Sequence, residues 1–103
     1  MRGNTDMPGI LLSGCALAAG GARNLWGAKK SLGKNCDRVS EGVYKVYHSV
    51  GHSNYSVQAT PKGTHKVANV DWLYEDHFIV NIYEIDGGQK KNSDFFFTII
   101  GNN

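Results

Sequence analysis

From Gly42 to Thr60 the chain alternates residue types at every second position, and this period of two fixes the class of fold. Successive side chains of a strand point to opposite faces, so such a run buries one face and wets the other. Tyr44, Val46, His48 and Val50 fall on one face, with Val43, Lys45, Tyr47 and Ser49 on the other. Tyr55, Val57 and Ala59 then alternate with Ser56, Gln58 and Thr60, after a turn at Gly51-His52-Ser53-Asn54. Pro61-Lys62-Gly63 and Glu75-Asp76-His77 are further turns. Between them, Ala68, Val70, Trp72 and Tyr74 share one face, against His65, Val67, Asn69, Asp71 and Leu73. The last two strands are expected at 78–85 and 94–101, joined by Asp86-Gly87-Gly88, a good hairpin signal.

Upstream, residues 9–18 (GILLSGCALA) form a continuous apolar run, too short and too rich in small residues for a helix. A strand buried on both faces is the expectation. Leu12-Ser13-Gly14-Cys15 matches a bacterial lipobox, but the apolar stretch before it falls short of the roughly 7–15 residues a signal needs. Gly20-Gly21 ends the run, and residues 22–35 read as a loop-rich connection around Trp26 with room for a short strand. The chain therefore reads as an extended segment, 1–8, followed by one β domain, 9–103. Six or seven short strands spaced by about 8–12 residues imply a small all-β antiparallel β-sandwich or barrel-like fold.

In the final strand, Phe95, Phe97 and Ile99 suit a core, which turns Phe96 and Ile100 the other way. A chain of 103 residues buries a modest share of its surface. Phe96 and Ile100, with Leu11 and Leu17 from the first apolar run, are thus expected at an oligomer interface, with a trimer as the assembly.

The search for chemistry returns little. Dinucleotide-binding, P-loop, HExxH, Cys-x-x-Cys and nucleophile-elbow patterns are all lacking, so no catalytic residues and no cofactor are expected. Cys15 and Cys36 lack metal-ligand spacing and sit beside apolar residues, which suits buried free thiols. His48 and His52 would share a face on a helix, but a strand running into a turn separates them. His48 is read as a core imidazole with internal hydrogen bonds. Strands that run up and down put His52 and His77 at one end and His65 at the other. His52 and His77 are the residues to watch for a metal, although none is expected.

Charge is unevenly spread. Residues 1–66 hold nine Lys/Arg and three Asp/Glu, a balance of +6, whereas residues 67–103 hold two and six, a balance of −4. Arg23, Lys29, Lys30 and Lys34 cluster around Trp26, which reads as solvated surface rather than a nucleic-acid site. No stretch of about 18 apolar residues is present to insert into a membrane. Ligand contacts are expected on loops: Ser53, Asn54, Asp76 and His77 at one end, with Lys62, Thr64, Gln89 and Lys90 at the other. Trp26 and Tyr47 are the aromatic rings on which a sugar would stack.

The stretch from Gly42 to Val57, G-x-Y-x-V-x-H-x-x-G-H-x-x-Y-x-V, resembles the C-terminal region of many phage and prophage tail-fibre proteins. Asp94 to Gly101, D-F-x-F-x-I-x-G, is similar to their ending, and Leu17 to Gly21 with Trp26 is similar to the lead-in. The resemblance spans residues 10–103. It implies a small β domain at a fibre tip, often trimeric, facing the host cell, with no catalytic or binding residues carried by the motif. Here the pattern starts about nine residues from Met1 instead of closing a long fibre. That departure points to a free-standing virion component made in the bacterial cytoplasm, such as a head fibre, spike or decoration protein. Its partners would be copies of itself, other virion proteins and a host cell-surface glycan or protein. The rival is a small secreted or lipid-anchored bacterial surface protein.

Overall fold

In the computed structural model, which describes residues 8–102, the alternating segments become eight strands with no helix among them. They are β1 (Gly9–Ala16), β2 (Ala22–Trp26), β3 (Cys36–Ser40), β4 (Val43–Tyr47), β5 (Tyr55–Pro61), β6 (Lys66–Leu73), β7 (His77–Glu84) and β8 (Phe95–Gly101). Two antiparallel four-stranded sheets form, ordered β2-β1-β8-β5 and β3-β4-β7-β6. The architecture is a β-sandwich with eight strands, not six or seven. The extra strands come from the polar segments β2 and β3, which carry little alternation to announce them. The extended segment expected at 1–8 lies, except for Pro8, outside the described residues.

The inner faces are those that alternation marks. Tyr44, Val46, His48 and Val50 are all buried, and Phe95, Phe97 and Ile99 pack into the same core. Leu12 and Ala16 join from β1, and Phe78, Val80 and Ile82 from β7. Each of the leucine, valine, isoleucine and phenylalanine side chains contributes about 1.5–3 kcal/mol by leaving water.

Three expectations are corrected. Asp86-Gly87-Gly88 does turn the chain, with Glu84 N–H donating to Gln89 O and Lys91 N–H to Ile82 O. It does not pair the last two strands, because β7 and β8 belong to different sheets. In β6 the register slips between Val70, opposite Val80, and Leu73, opposite Phe78. This bulge places three β6 steps against two of β7 and reverses the facing. Leu73 therefore packs on the core while Trp72, expected beside Val70, is 61% exposed. In β1 a second slip between Ile10 and Leu12 lets both Leu11 and Leu12 be buried. Leu11 is covered by the chain leaving β2: Lys29 N–H donates to Leu11 O, and Gly27 presses on the Leu11–Leu12 backbone so closely that a Cβ would collide with it. Leu11 thus lies inside the chain rather than on a surface open to another subunit. Leu17 lies in the turn after β1 and is half-buried.

Because every pairing is antiparallel, alternate connections gather at opposite ends. The β2–β3, β4–β5 and β6–β7 connections form one end, called here upper. The β1–β2, β3–β4, β5–β6 and β7–β8 connections form the lower end. A tyrosine ties the two sheets at each. At the lower end Tyr44 Oη donates to Ala18 O (2.8 Å) and accepts from Ser93 N–H (3.2 Å). At the upper end Tyr55 Oη donates towards Tyr74 O (2.7 Å) and also lies 3.0 Å from His77 O.

Candidate functional site

The motif histidine sits under the upper end. His48 is 3% exposed, accepts at Nδ1 from Val50 N–H (3.1 Å), and meets Tyr55 Oη through Nε2 at 2.8 Å. With Nδ1 accepting, Nε2 carries the proton and donates to Tyr55 Oη, whose own O–H donates to Tyr74 O. The relay satisfies every polar atom in it. Burial pushes the His48 pKa down to about 4, against a smaller opposing pull from Asp76. Burial pushes the Tyr55 hydroxyl up to about 12. Both groups are therefore neutral near pH 7, and their role is to join the sheets.

Above this relay lie the upper-end loop candidates. His48 N–H donates to Asp76 O and Gly51 N–H to Glu75 O, so the β4–β5 connection lies against the β6–β7 turn. Ser53, Asn54 and Asp76 are exposed there, and His77 is half-buried. His52 and His77 share this end, and His65 sits at the other, where its carbonyl accepts from Ile85 N–H. The same-end placement holds although the chain crosses between sheets, because antiparallel pairing alone dictates it.

The two histidines have separate partners. His77 Nδ1 bonds Asp76 Oδ1 at 2.7 Å, and His52 Nε2 meets Asn102 O at 3.1 Å. The His77 hydrogen bond holds the Asp76 carboxyl below its usual range. Among the described residues no group of three or more His, Cys, Asp or Glu gathers to hold a metal. Tyr74 stacks on the His77 ring at 4.4 Å and Tyr47 lies 6.2 Å away on a tilt. Tyr47 is half-buried, with Lys45 Nζ 5.3 Å over its ring, and its hydroxyl donates to Asp37 (2.9 Å).

Lys62, Thr64, Gln89 and Lys90 are exposed at the lower end, on the β5–β6 and β7–β8 connections. The backbone there is tied down, with Lys62 N–H donating to Asp94 O and Gly42 N–H to Asn92 Oδ1. Both cysteines are buried free thiols. Burial beside Asp37 pushes Cys36 up to about 12, which leaves no thiolate at neutral pH.

The outer face of the β2-β1-β8-β5 sheet carries a recess that the loop candidates do not include. Its rows follow the register: Arg23, Cys15, Phe96 and Thr60 in one, and Trp26, Ser13, Thr98 and Gln58 in the next. A groove of about 220 Å³ lies between them, lined by Ser13, Cys15, Asn24, Phe96 and Thr98. Phe96 is 51% exposed and Trp26 62%. The alternation of β8 marks Phe96, and Trp26 stands out in its loop-rich stretch. Ser13 lies in a run expected to be buried on both faces and Asn24 in the loop-rich connection, so neither is marked in the sequence.

Comparisons with protein-family models, curated proteins and solved structures find no match to this chain.

Proposed function

We propose that this domain is a recognition module on the surface of a bacteriophage particle, similar in build to a tail-fibre tip, and that it attaches to a host cell surface without catalysis. One observation carries the reading: the outer face of one sheet holds out two large aromatic side chains, Phe96 and Trp26, on a rigid strand framework. Exposed aromatics gathered on one face mark a contact surface rather than a solvated one. The residues that carry the tail-fibre resemblance support it differently. Tyr44, Val46, His48, Tyr55, Phe95 and Phe97 build the core and the ties between sheets, leaving specificity to the surface.

The test is binding of fluorescently labelled protein to a panel of bacterial cells and to a glycan array. Binding to a restricted set of cells is expected. A folded protein that binds neither cells nor array refutes recognition. A second, architectural reading is favoured by Ile10, half-exposed beside Ile100 on the same face. Under that reading the face docks on further copies or on another virion protein. Light scattering would then report a trimer that Phe96→Asp dissociates.

A further inference from the structure

The groove on the outer face owes its shape to an irregularity in β2. Ser13 pairs with Trp26 and Cys15 with Arg23, so three β2 steps oppose two of β1. The residue beside this bulge, Asn24, has φ of 56°, a left-handed conformation that costs a non-glycine residue free energy. Bulges of this kind re-aim a side chain, and Asn24 lines the groove. Asparagine is among the few residues that tolerate this backbone, and it brings an acceptor and two donors.

The other walls complete a defined chemistry. Ser13 and Thr98 are register partners, so their hydroxyls stand side by side on the same face. Asn24 is exposed, and Ser13 and Thr98 are half-buried. Cys15, 3% exposed, makes an apolar floor. Phe96 forms a wall, and Lys62 Nζ lies 5.3 Å from its ring centre, which restrains the ring. Trp26 stands beside Ser13 at the rim. No lining residue is charged, and the nearest cations, Lys62 and Arg23, flank the Phe96 wall and the Cys15 floor.

We infer that this groove binds a single neutral pyranose ring of a cell-surface glycan, with Phe96 and Trp26 against its C–H faces and Asn24, Ser13 and Thr98 on its hydroxyls. The inference rests on the recognition reading and names its ligand class. The volume is below the roughly 300–1,000 Å³ of pockets for drug-sized ligands, which suits one ring with its substituents. The lining residues themselves offer hydroxyls and an amide rather than a charged group, which suits a neutral ring. A second copy of the chain fits less well, since a flat sheet face would leave the recess and its three polar groups unfilled.

The test is NMR titration of the intact protein with the methyl glycosides of glucose, galactose, mannose and N-acetylglucosamine. For at least one of them, amide shifts centred on Ser13, Asn24, Phe96 and Thr98 are expected, with a change in Trp26 fluorescence. Asn24→Gly keeps a residue at ease with the left-handed backbone, so it folds normally, and loss of the amide weakens binding about tenfold. Phe96→Ala weakens it at least as much. No shift with any glycoside, shifts centred elsewhere, or an unchanged Asn24→Gly titration overturns the inference. Shifts at these residues on dilution alone identify a second copy as the occupant and also overturn it. If both variants keep wild-type binding to cells and array, the groove is wrong and the recognition reading stands. If the wild type binds neither, the recognition reading fails while the glycoside titration still judges the groove.

Discussion

Acidification should loosen the upper end through one residue, His48. In the unfolded chain its pKa is about 6.5 and in the fold about 4, so the native state disfavours the proton. A lowered folded-state pKa means that the contribution is complete above pH 6.5 and is lost as pH falls from 6.5 to 4. Linkage gives a loss of about 2 kcal/mol at pH 5 and about 3 kcal/mol once the window is crossed. The structural cause is specific. A proton on Nδ1 turns the acceptor of Val50 N–H into a second donor and places a charge in a site that is 3% exposed. Urea unfolding at pH 7.5, 6, 5 and 4 should show the midpoint falling across this interval. The His48→Phe variant keeps a ring against Phe78 and Tyr55, starts less stable, and should lose much less between pH 7.5 and 5. Equal losses in wild type and variant, or an NMR titration placing His48 at or above 6.5, would refute the reasoning.

Tyr55→Phe breaks the same relay at its middle and leaves both Nε2 of His48 and the carbonyl of Tyr74 without a partner, at a cost of about 1–3 kcal/mol in urea unfolding. Phe95→Ala removes a fully buried ring that packs edge-on against Tyr44 at 5.2 Å and should cost about 3–5 kcal/mol, read from thermal or urea melts. Gly42→Ala should destabilise the β3–β4 turn by at least about 1 kcal/mol, because φ is 70° and a Cβ would lie 2.7 Å from both Ile82 O and Lys91 N. Faster hydrogen exchange at the Ile82 and Lys91 amides is the readout. Cys36 should resist thiol reagents at pH 8 in the native protein and react on unfolding, and prompt native labelling would contradict its burial.

Strands whose burial follows strict alternation, such as β4, β5 and β8, were legible because each face is set by neighbours two residues away. What escaped was set by pairing. Nothing local distinguishes the bulge in β6 that exchanges Trp72 for Leu73, since the slip exists only against β7. Asp86-Gly87-Gly88 encodes a turn, yet the sheet that β8 enters is decided by its pairing with β1 and β5. The groove was hidden for the same reason. Asn24, Ser13 and Thr98 come from three strands and meet only through register, whereas Phe96 was marked by standing out of phase with Phe95 and Phe97.

Gly9 and Gly101 are register partners on adjacent strands, so the first and last strands of the domain are neighbours that meet at the upper end. A domain closed in this way can be spliced into a surface loop of an unrelated carrier without stretching either junction, and its own strands can be reconnected in circularly permuted order. Joined to a carrier through these two glycines, it would hold Lys62, Thr64, Gln89 and Lys90 outermost. The Phe96 groove would lie on its flank, facing sideways along the carrier rather than straight ahead.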